Sequence, residues 1–389
     1  MIYFDNSATT LPDEDILAAY HEMSTQYFGN PSSPHRLGAK AALKLEQARS
    51  VCADSLGVRP EEIIFTSSGS ESNNTIIKGL AIRNDLHGKH IITTSVEHAS
   101  VYETCKQLES MGYFITYLPT DDKGCINLDD VIRNIRKDTI LVTVMYVNSE
   151  LGSIQPIADI GRLLSAFPTI HFHVDAVQGF GKLPLSPKEW GIDSLAISAH
   201  KFHGLRGAGL LYVRSGTSFS PLVNGGGQEY GYRAGTENVP CIVAMSKAMH
   251  KQNLQQEDNY KYLSNLKKYL IDGLMEIPGC ILNSPQIHSE VGAPHIVNFS
   301  LPGLSSKEIL FSLESEAIYV SKSSACSSKS NKPSRVLLSA GISEDLANSA
   351  IRVSFSTYNT IKEIDSFLLI LQMIIAKSML KYQIKQNLI

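Results

Sequence analysis

The stretch "SLAISAHKFHGLRGAGLLYVR", residues 194–214, decides how the chain folds. Two short apolar runs, "SLAISA" and "AGLLYVR", have the length and composition of buried strands. Between them lies a turn that carries Ser198, His200 and Lys201, followed by glycines at 204, 207 and 209. An ammonium at the mouth of a buried strand is costly without a partner that neutralises it or bonds to it covalently. Upstream, strand-like and helix-like segments alternate: "EEIIFTSSGS" and "ESNNTIIKGLAIRNDL", "KHIITTS" and "HASVYETCKQLESMG", then "YFITYLP", "LDDVIRNIR", "TILVTVMYV", "IADIGRLLSAF" and "IHFHVDA". Short apolar strands separated by helices predict an α/β fold with a mostly parallel, buried central sheet flanked by helices. Such sheets bind ligands in the crevice at the carboxyl ends of their strands.

Downstream of Gly225, Gly226 and Gly227 the pattern becomes more helical. "NYKYLSNLKKYLIDGLMEI" has apolar positions at helical spacing and is expected to open a smaller α+β domain. The expected division is a large domain over 15–255 and a smaller one built from 1–14 and 256–389, with "KYQIKQNLI" as a frayed tail.

The chain has 389 residues, 35 Lys plus Arg against 38 Asp plus Glu, and a formal net charge of -3. That balance gives no reason to expect nucleic acid or an anionic membrane as a direct partner. The start, "MIYFDNSATT", lacks the basic and apolar regions of a signal peptide, and no apolar run reaches the roughly 18 residues of a membrane span. A cytoplasmic location is expected. The six cysteines, at 52, 105, 125, 241, 280 and 326, include no C-x-x-C pair and do not form a disulfide framework or a zinc motif.

Four features fall at strand ends. "TSSGSES", 66–72, precedes a helix and reads either as an ordinary turn or as a phosphate cradle built from helix N-terminal amides. His98 in "EHAS" opens the next helix, where a lone histidine is most simply a cap. Asp175 ends "IHFHVDA", with Gln178 just beyond; His171, His173 and Asp175 share one face by the strand period of two. That spacing resembles part of a metal-hydrolase motif, although position 176 is alanine and no further ligand cluster is evident. The fourth feature is the Lys201 turn. A cradle, a carboxylate and a lysine in one crevice suit pyridoxal 5'-phosphate: amides for the phosphate, Asp175 for the ring nitrogen, Lys201 for the Schiff base.

In order and spacing, "YFDNSATT", "FGNPSSPHRLG", "TSSGSESNN", "EHASV", "HVDAVQGFGKLP", "SAHKFHG", "GGGQEYGYRAGTEN" and "SSACSS" resemble the cysteine desulfurase family of fold-type-I pyridoxal-phosphate enzymes, over nearly the whole chain. The resemblance implies that Lys201 binds the cofactor covalently, that His98 stacks on its ring and moves protons, and that Asp175 and Gln178 meet the ring nitrogen and phenolic oxygen. Gly69, Ser70, Ser198 and His200 would hold the phosphate. Thr236 would reach the phosphate of a neighbouring subunit, which implies a homodimer. Asn30 and Arg352 would hold the substrate carboxylate; a planar guanidinium matches two oxygens.

Cys326 falls on the family's nucleophile, in "VSKSSACSSKSNKPS", a composition that suits an exposed loop where a thiolate can form. The resemblance gives this loop the long form that hands sulfur to an acceptor protein. The other five cysteines sit in apolar or helical contexts and are expected to be buried. The implied reaction converts L-cysteine to L-alanine and leaves a persulfide on Cys326. A selenocysteine lyase, a cysteine-sulfinate desulfinase, an ordinary aminotransferase or a non-catalytic scaffold on the same fold are the alternatives. Four places depart from the family's commoner pattern: Ser149 where an asparagine contacts the cofactor oxygen, Ser70 for threonine, Leu205-Arg206 for Pro-Lys, and Ser354-Phe355-Ser356 for Ser-Leu-Gly.

Overall fold

The computed structural model describes residues 1–83, 88–286, 291–322 and 332–386. Twelve strands are present among them: β1 (Ile2–Tyr3), β2 (Ile63–Thr66), β3 (His90–Thr94), β4 (Phe114–Leu118), β5 (Thr139–Met145), β6 (His171–Asp175), β7 (Ser194–Ser198), β8 (Gly209–Val213), β9 (Ile281–Leu282), β10 (Ile296–Ser300), β11 (Ile318–Tyr319) and β12 (Ala350–Ser354). Seven of them form the central sheet in the order β2-β8-β7-β6-β5-β3-β4. β8 alone runs antiparallel to its neighbours. The connection from β7 to β8 is the lysine turn, too short for the dozen or more residues that a parallel crossover needs.

The sheet is buried on both faces, and strand parity sorts its side chains. Ile63, Phe65, Val142, Val144, Phe172, Val174, Leu195 and Ile197 face one core, with the helices Arg36–Leu56, Ile157–Leu164 and Val239–Met275. Ile64, Ile91, Leu141, Leu211 and Val213 face the other, under the helices Gly69–Arg83 and Ala99–Ser110. This is the two-sided burial that the near-continuous apolar strands predict. A separate core gathers Phe4, Leu263, Leu270, Phe299, Ile351 and Phe367 around the antiparallel sheet β12-β10-β9 and the parallel pair β1-β11.

Two segments differ from the sequence reading. The helix expected to begin near Asn259 starts at Val239, and one 37-residue helix runs from the large sheet's core into the smaller core. After Pro240 no proline or glycine interrupts it before Gly273, so no loop marks the expected division at 255/256. The expected frayed tail is helical as far as Gln386, since "LKYQIKQ" contains good helix formers and no breaker. Among the described residues no helix is long and apolar enough to cross a membrane.

Candidate active site

The carboxyl ends of β2, β3, β5, β6 and β7 converge on a pocket of about 200 Å³. Its lining includes Gly69, Ser70, His98, Ser149, Asp175, Gln178, Ser198, His200, Lys201 and Arg352. Each residue arrives by register: Met145 pairs with Asp175, and Asp175 with Ala196, so the turns after β5, β6 and β7 open at one level.

Lys201 closes the short helical turn Ala199–Lys201 after β7. Its Nζ donates to the carbonyls of Ser7 (2.6 Å) and Ala8 (2.8 Å). The same N-terminal segment ties down the rest of the turn. Thr10 donates through N and Oγ1 to the His200 carbonyl (2.9 and 3.0 Å), the His203 amide donates to Thr10 Oγ1 (2.8 Å), and Gln178 Nε2 donates to the Ser7 carbonyl (2.9 Å). "NSATT" is thus the pocket wall that braces the lysine, a role its sequence alone does not show.

The helix Gly69–Arg83 begins at the pocket. A Cβ on Gly69 would lie 2.4 Å from Val177 Cγ2, and one on Gly209 2.6 Å from the Ser68 carbonyl carbon. Only glycines let this turn lie so close to β6 and β8, which leaves the helix N-terminal amides facing the cavity, as an anion cradle requires.

Asp175 is 5% exposed. Its Oδ1 accepts from the Val177 amide (3.0 Å) and its Oδ2 from Asn73 Nδ2 (2.7 Å); among the described residues it has no ion-pair partner. A buried carboxylate stabilised by hydrogen bonds but lacking a cation suits a protonated ring nitrogen. Arg352, on β12, is 1% exposed in its side chain; Nη1 donates to the Ser149 carbonyl (2.9 Å), Nη2 to Asp5 Oδ1 (2.7 Å), and Nε has no partner among the described residues. A fixed guanidinium with a spare donor suits a substrate carboxylate. His98 is both cap and pocket residue: its Nδ1 accepts from the Ser100 amide (3.1 Å) at the start of Ala99–Ser110 while the ring lines the cavity.

Asn30 and Thr236 do not line this pocket. Both are exposed in the single chain, and Asn30 Oδ1 accepts from the Ser32 amide (2.9 Å). Cys326 lies outside the described residues. Of the other cysteines, Cys52, Cys105, Cys125 and Cys241 are buried and Cys280 is half-buried. Burial pushes all five thiols up, Cys280 to about 11 and Cys125 to about 12, so none is a thiolate near neutral pH.

Sequence reasoning missed Asn73, Asp5 and the carbonyls of Ser7 and Ala8. Asn73 could have been found. It sits four residues after Gly69, on the helix face that already bears the cradle.

Several buried histidines are held neutral. Burial pushes His173 and His171 down to about 3, and His200 down to about 4, the latter helped by the charges of Lys201, Arg206 and Lys182. His90, His98, His203 and His295 are lowered, again chiefly by burial. In each case the folded value lies below the unfolded one, so the unfolded chain takes up protons first as pH falls below about 6.5. The fold is therefore expected to lose stability on acidification from pH 6.5 to 5, by about 2 kcal/mol at pH 5 for His173 alone. Glu97, pushed up to about 8 by burial, and Asp193 and Glu237, also raised by burial, work in the opposite sense but are three groups against seven histidines. Melting temperatures measured between pH 7 and 5 check this; a flat profile would show that the histidines are not held neutral.

The fold and pocket together define the class: a fold-type-I enzyme of the kind described as aminotransferase class-V, a family model that matches residues 2–367. A cysteine desulfurase IscS of Dictyoglomus turgidum is 41% identical over 377 residues, covering 97% of this chain and 95% of the relative. A NifS/IcsS protein homolog of Lactobacillus delbrueckii subsp. bulgaricus is 44% identical over 378 residues, 95% of each chain. A solved NifS-like protein superposes with a TM-score of 0.90 at 37% identity, covering 96% of this chain and 99% of the other; DndA from Streptomyces lividans does so at 0.77 and 32%, over 90% and 98%. The chain belongs to the cysteine desulfurase family of the class-V aminotransferases.

Proposed function

We propose that the chain removes sulfur from L-cysteine with pyridoxal 5'-phosphate, releasing L-alanine and storing the sulfur as a persulfide on Cys326. The observation that carries this reading is one pocket holding Lys201, a buried Asp175 with no ion-pair partner among the described residues, the Gly69 cradle and Arg352. The cofactor, when bound, supplies an electron sink for negative charge at the substrate Cα. The chain's residues do the rest. Gly69, Ser70, Ser198 and His200 hold the phosphate; neutral His200 serves as a hydrogen-bond partner there rather than as a charge. Asp175 keeps the ring nitrogen protonated, and Gln178 and Ser149 meet the ring's oxygen side. Arg352 and Asn30 hold the substrate carboxylate, the latter by a rearrangement of its loop or from a second subunit. Lys201 Nζ tethers the cofactor and carries the Cα proton, with His98 beside it. The Cys326 thiolate attacks the substrate sulfur: the S–S bond forms, the C–S bond breaks, and the carbon is protonated to alanine.

The chain on both sides of Cys326 is anchored at this pocket. Ser321 pairs through its backbone with Arg352 (3.1 and 2.7 Å), Ser334 Oγ donates to Glu150 Oε2 (2.5 Å), and Arg335 donates to the Ser95 and Glu97 carbonyls. The reading further includes a cytoplasmic homodimer in which Thr236 completes the phosphate site of the partner subunit, and a sulfur-acceptor protein that meets the Cys326 segment. The decisive variant is Cys326→Ala. It is expected to keep the visible absorbance of bound cofactor and to form no persulfide when L-cysteine is added. Sulfur release at the parent rate without added reductant would remove Cys326 from the reaction.

A further inference from the structure

The His-x-His-x-Asp face of β6 lies under the helix Gly69–Arg83, and its polar groups are joined in a single line. Asn73 Nδ2 donates to Asp175 Oδ2 (2.7 Å) and to Ser100 Oγ (2.9 Å), which fixes Asn73 Oδ1 as the oxygen that faces His173 Nε2 (2.9 Å). His173 Nε2 must therefore carry a proton. Neutral His173 then has a bare Nδ1, which accepts from Ser194 Oγ (2.9 Å), and Ser194 Oγ accepts in turn from His171 Nε2 (2.8 Å). Every donor in this line points toward Asp175. Asn73, His173 and Ser194 are all fully buried, so water cannot substitute for a lost link. Burial holds both histidines neutral, as the assigned tautomers require.

We propose that Asn73 and His173 are positioning residues: the relay His171–Ser194–His173–Asn73 fixes the plane of the Asp175 carboxylate. With Val177 N on one oxygen and Asn73 on the other, each oxygen keeps one lone pair for the cavity. Glu97 and His98, from the segment after β3, interact electrostatically with Asp175, and Lys201 and Arg335 interact with His98. None of them belongs to the relay. This inference rests on the reading that Asp175 meets the cofactor's ring nitrogen.

The test compares holoenzymes of Asn73→Leu, His173→Leu, His173→Gln, Ser194→Ala and Asp175→Asn with the parent. Three quantities are read: the visible spectrum, the dissociation constant for pyridoxal 5'-phosphate, and kcat and KM for L-cysteine. The two leucine variants are expected to bind cofactor about tenfold more weakly and to lose about 10- to 100-fold in kcat, with KM nearly unchanged. His173→Gln keeps an N–H toward Asn73 and is expected to recover most of the loss. Ser194→Ala, which removes little volume, is expected to shift the same quantities by about threefold. Thermal melting identifies any variant that misfolds; if the leucine variants do, Ser194→Ala and His173→Gln decide. Parent-like values across the relay variants, with Asp175→Asn impaired, overturn the relay alone. Parent-like values in Asp175→Asn overturn the reading of Asp175 beneath it.

Discussion

Lys201→Ala is expected to lower kcat/KM for L-cysteine by about a thousandfold or more and to abolish the covalent lysine–cofactor linkage. The expectation follows from how the side chain is held. Its Nζ is anchored by the Ser7 and Ala8 carbonyls, and the residue lines one pocket with Gln178 and Asp175. Among the described residues no other lysine lines the pocket. Lys182, also buried, donates its Nζ to the Lys201 carbonyl (2.8 Å) and does not line the pocket. Alanine at 201 leaves the Ser7 carbonyl its bond from Gln178, so the fold is expected to survive. Two measurements check the assignment. The visible band of the linked cofactor should vanish in the variant, and borohydride reduction of the parent should place the cofactor's mass on the peptide that contains residue 201. A variant that kept both the band and the activity would remove Lys201 from the mechanism.

Glu229→Ala is expected to cost about 3–5 kcal/mol, the largest single stability loss among these variants. Glu229 lies at the end of the glycine run, with φ of 48° at 229 and 58° at Tyr230. Its carboxylate receives Arg49 Nη1 and Nη2 (both 2.8 Å) and the Phe65 amide (2.8 Å), while Arg49 Nη1 also donates to the Ile63 carbonyl (2.8 Å). Both side chains of the pair are almost fully buried. Removing the acid leaves the buried guanidinium to the exposed Glu46 carboxylate (Nε to Oε1, 3.2 Å) and the Ile63 carbonyl, strands a β2 amide, and frees a segment whose left-handed backbone is disfavoured for non-glycine residues. Arg49→Met should cost a similar amount. Arg49→Met with Glu229→Leu should lose less than the two single losses summed, because no charge is left unpaired. Urea midpoints for the four proteins check this. If Glu229→Ala unfolds at the parent midpoint, the pair does not hold the segment.

Much of this protein was legible before any tertiary contact was known. The near-continuous apolar runs around 63–65, 139–147 and 208–213, separated by helical segments, predict a sheet buried on both faces. The sites of Lys201, Asp175, His98 and Gly69 followed, since a parallel sheet opens its ligand crevice where its strands end. His98 is the cap that its simplest reading expects, and its ring also lines the cavity. The half-motif His171-x-His173-x-Asp175 is spent on hydrogen bonds to Ser194 and Asn73.

The sequence by itself determined the α/β class, the strand ends that bear the chemistry and the residue types placed there, because these rest on local periodicity and turn composition. Tertiary structure alone decided what braces them. Ser7 and Ala8 lie more than 190 positions from Lys201, Asn73 lies 102 from Asp175, and Asp5 lies 347 from Arg352. No local pattern encodes contacts at that range. They exist because chain closure brings the N-terminal segment, the cradle helix and β12 onto one pocket, where each buried polar atom must find a partner.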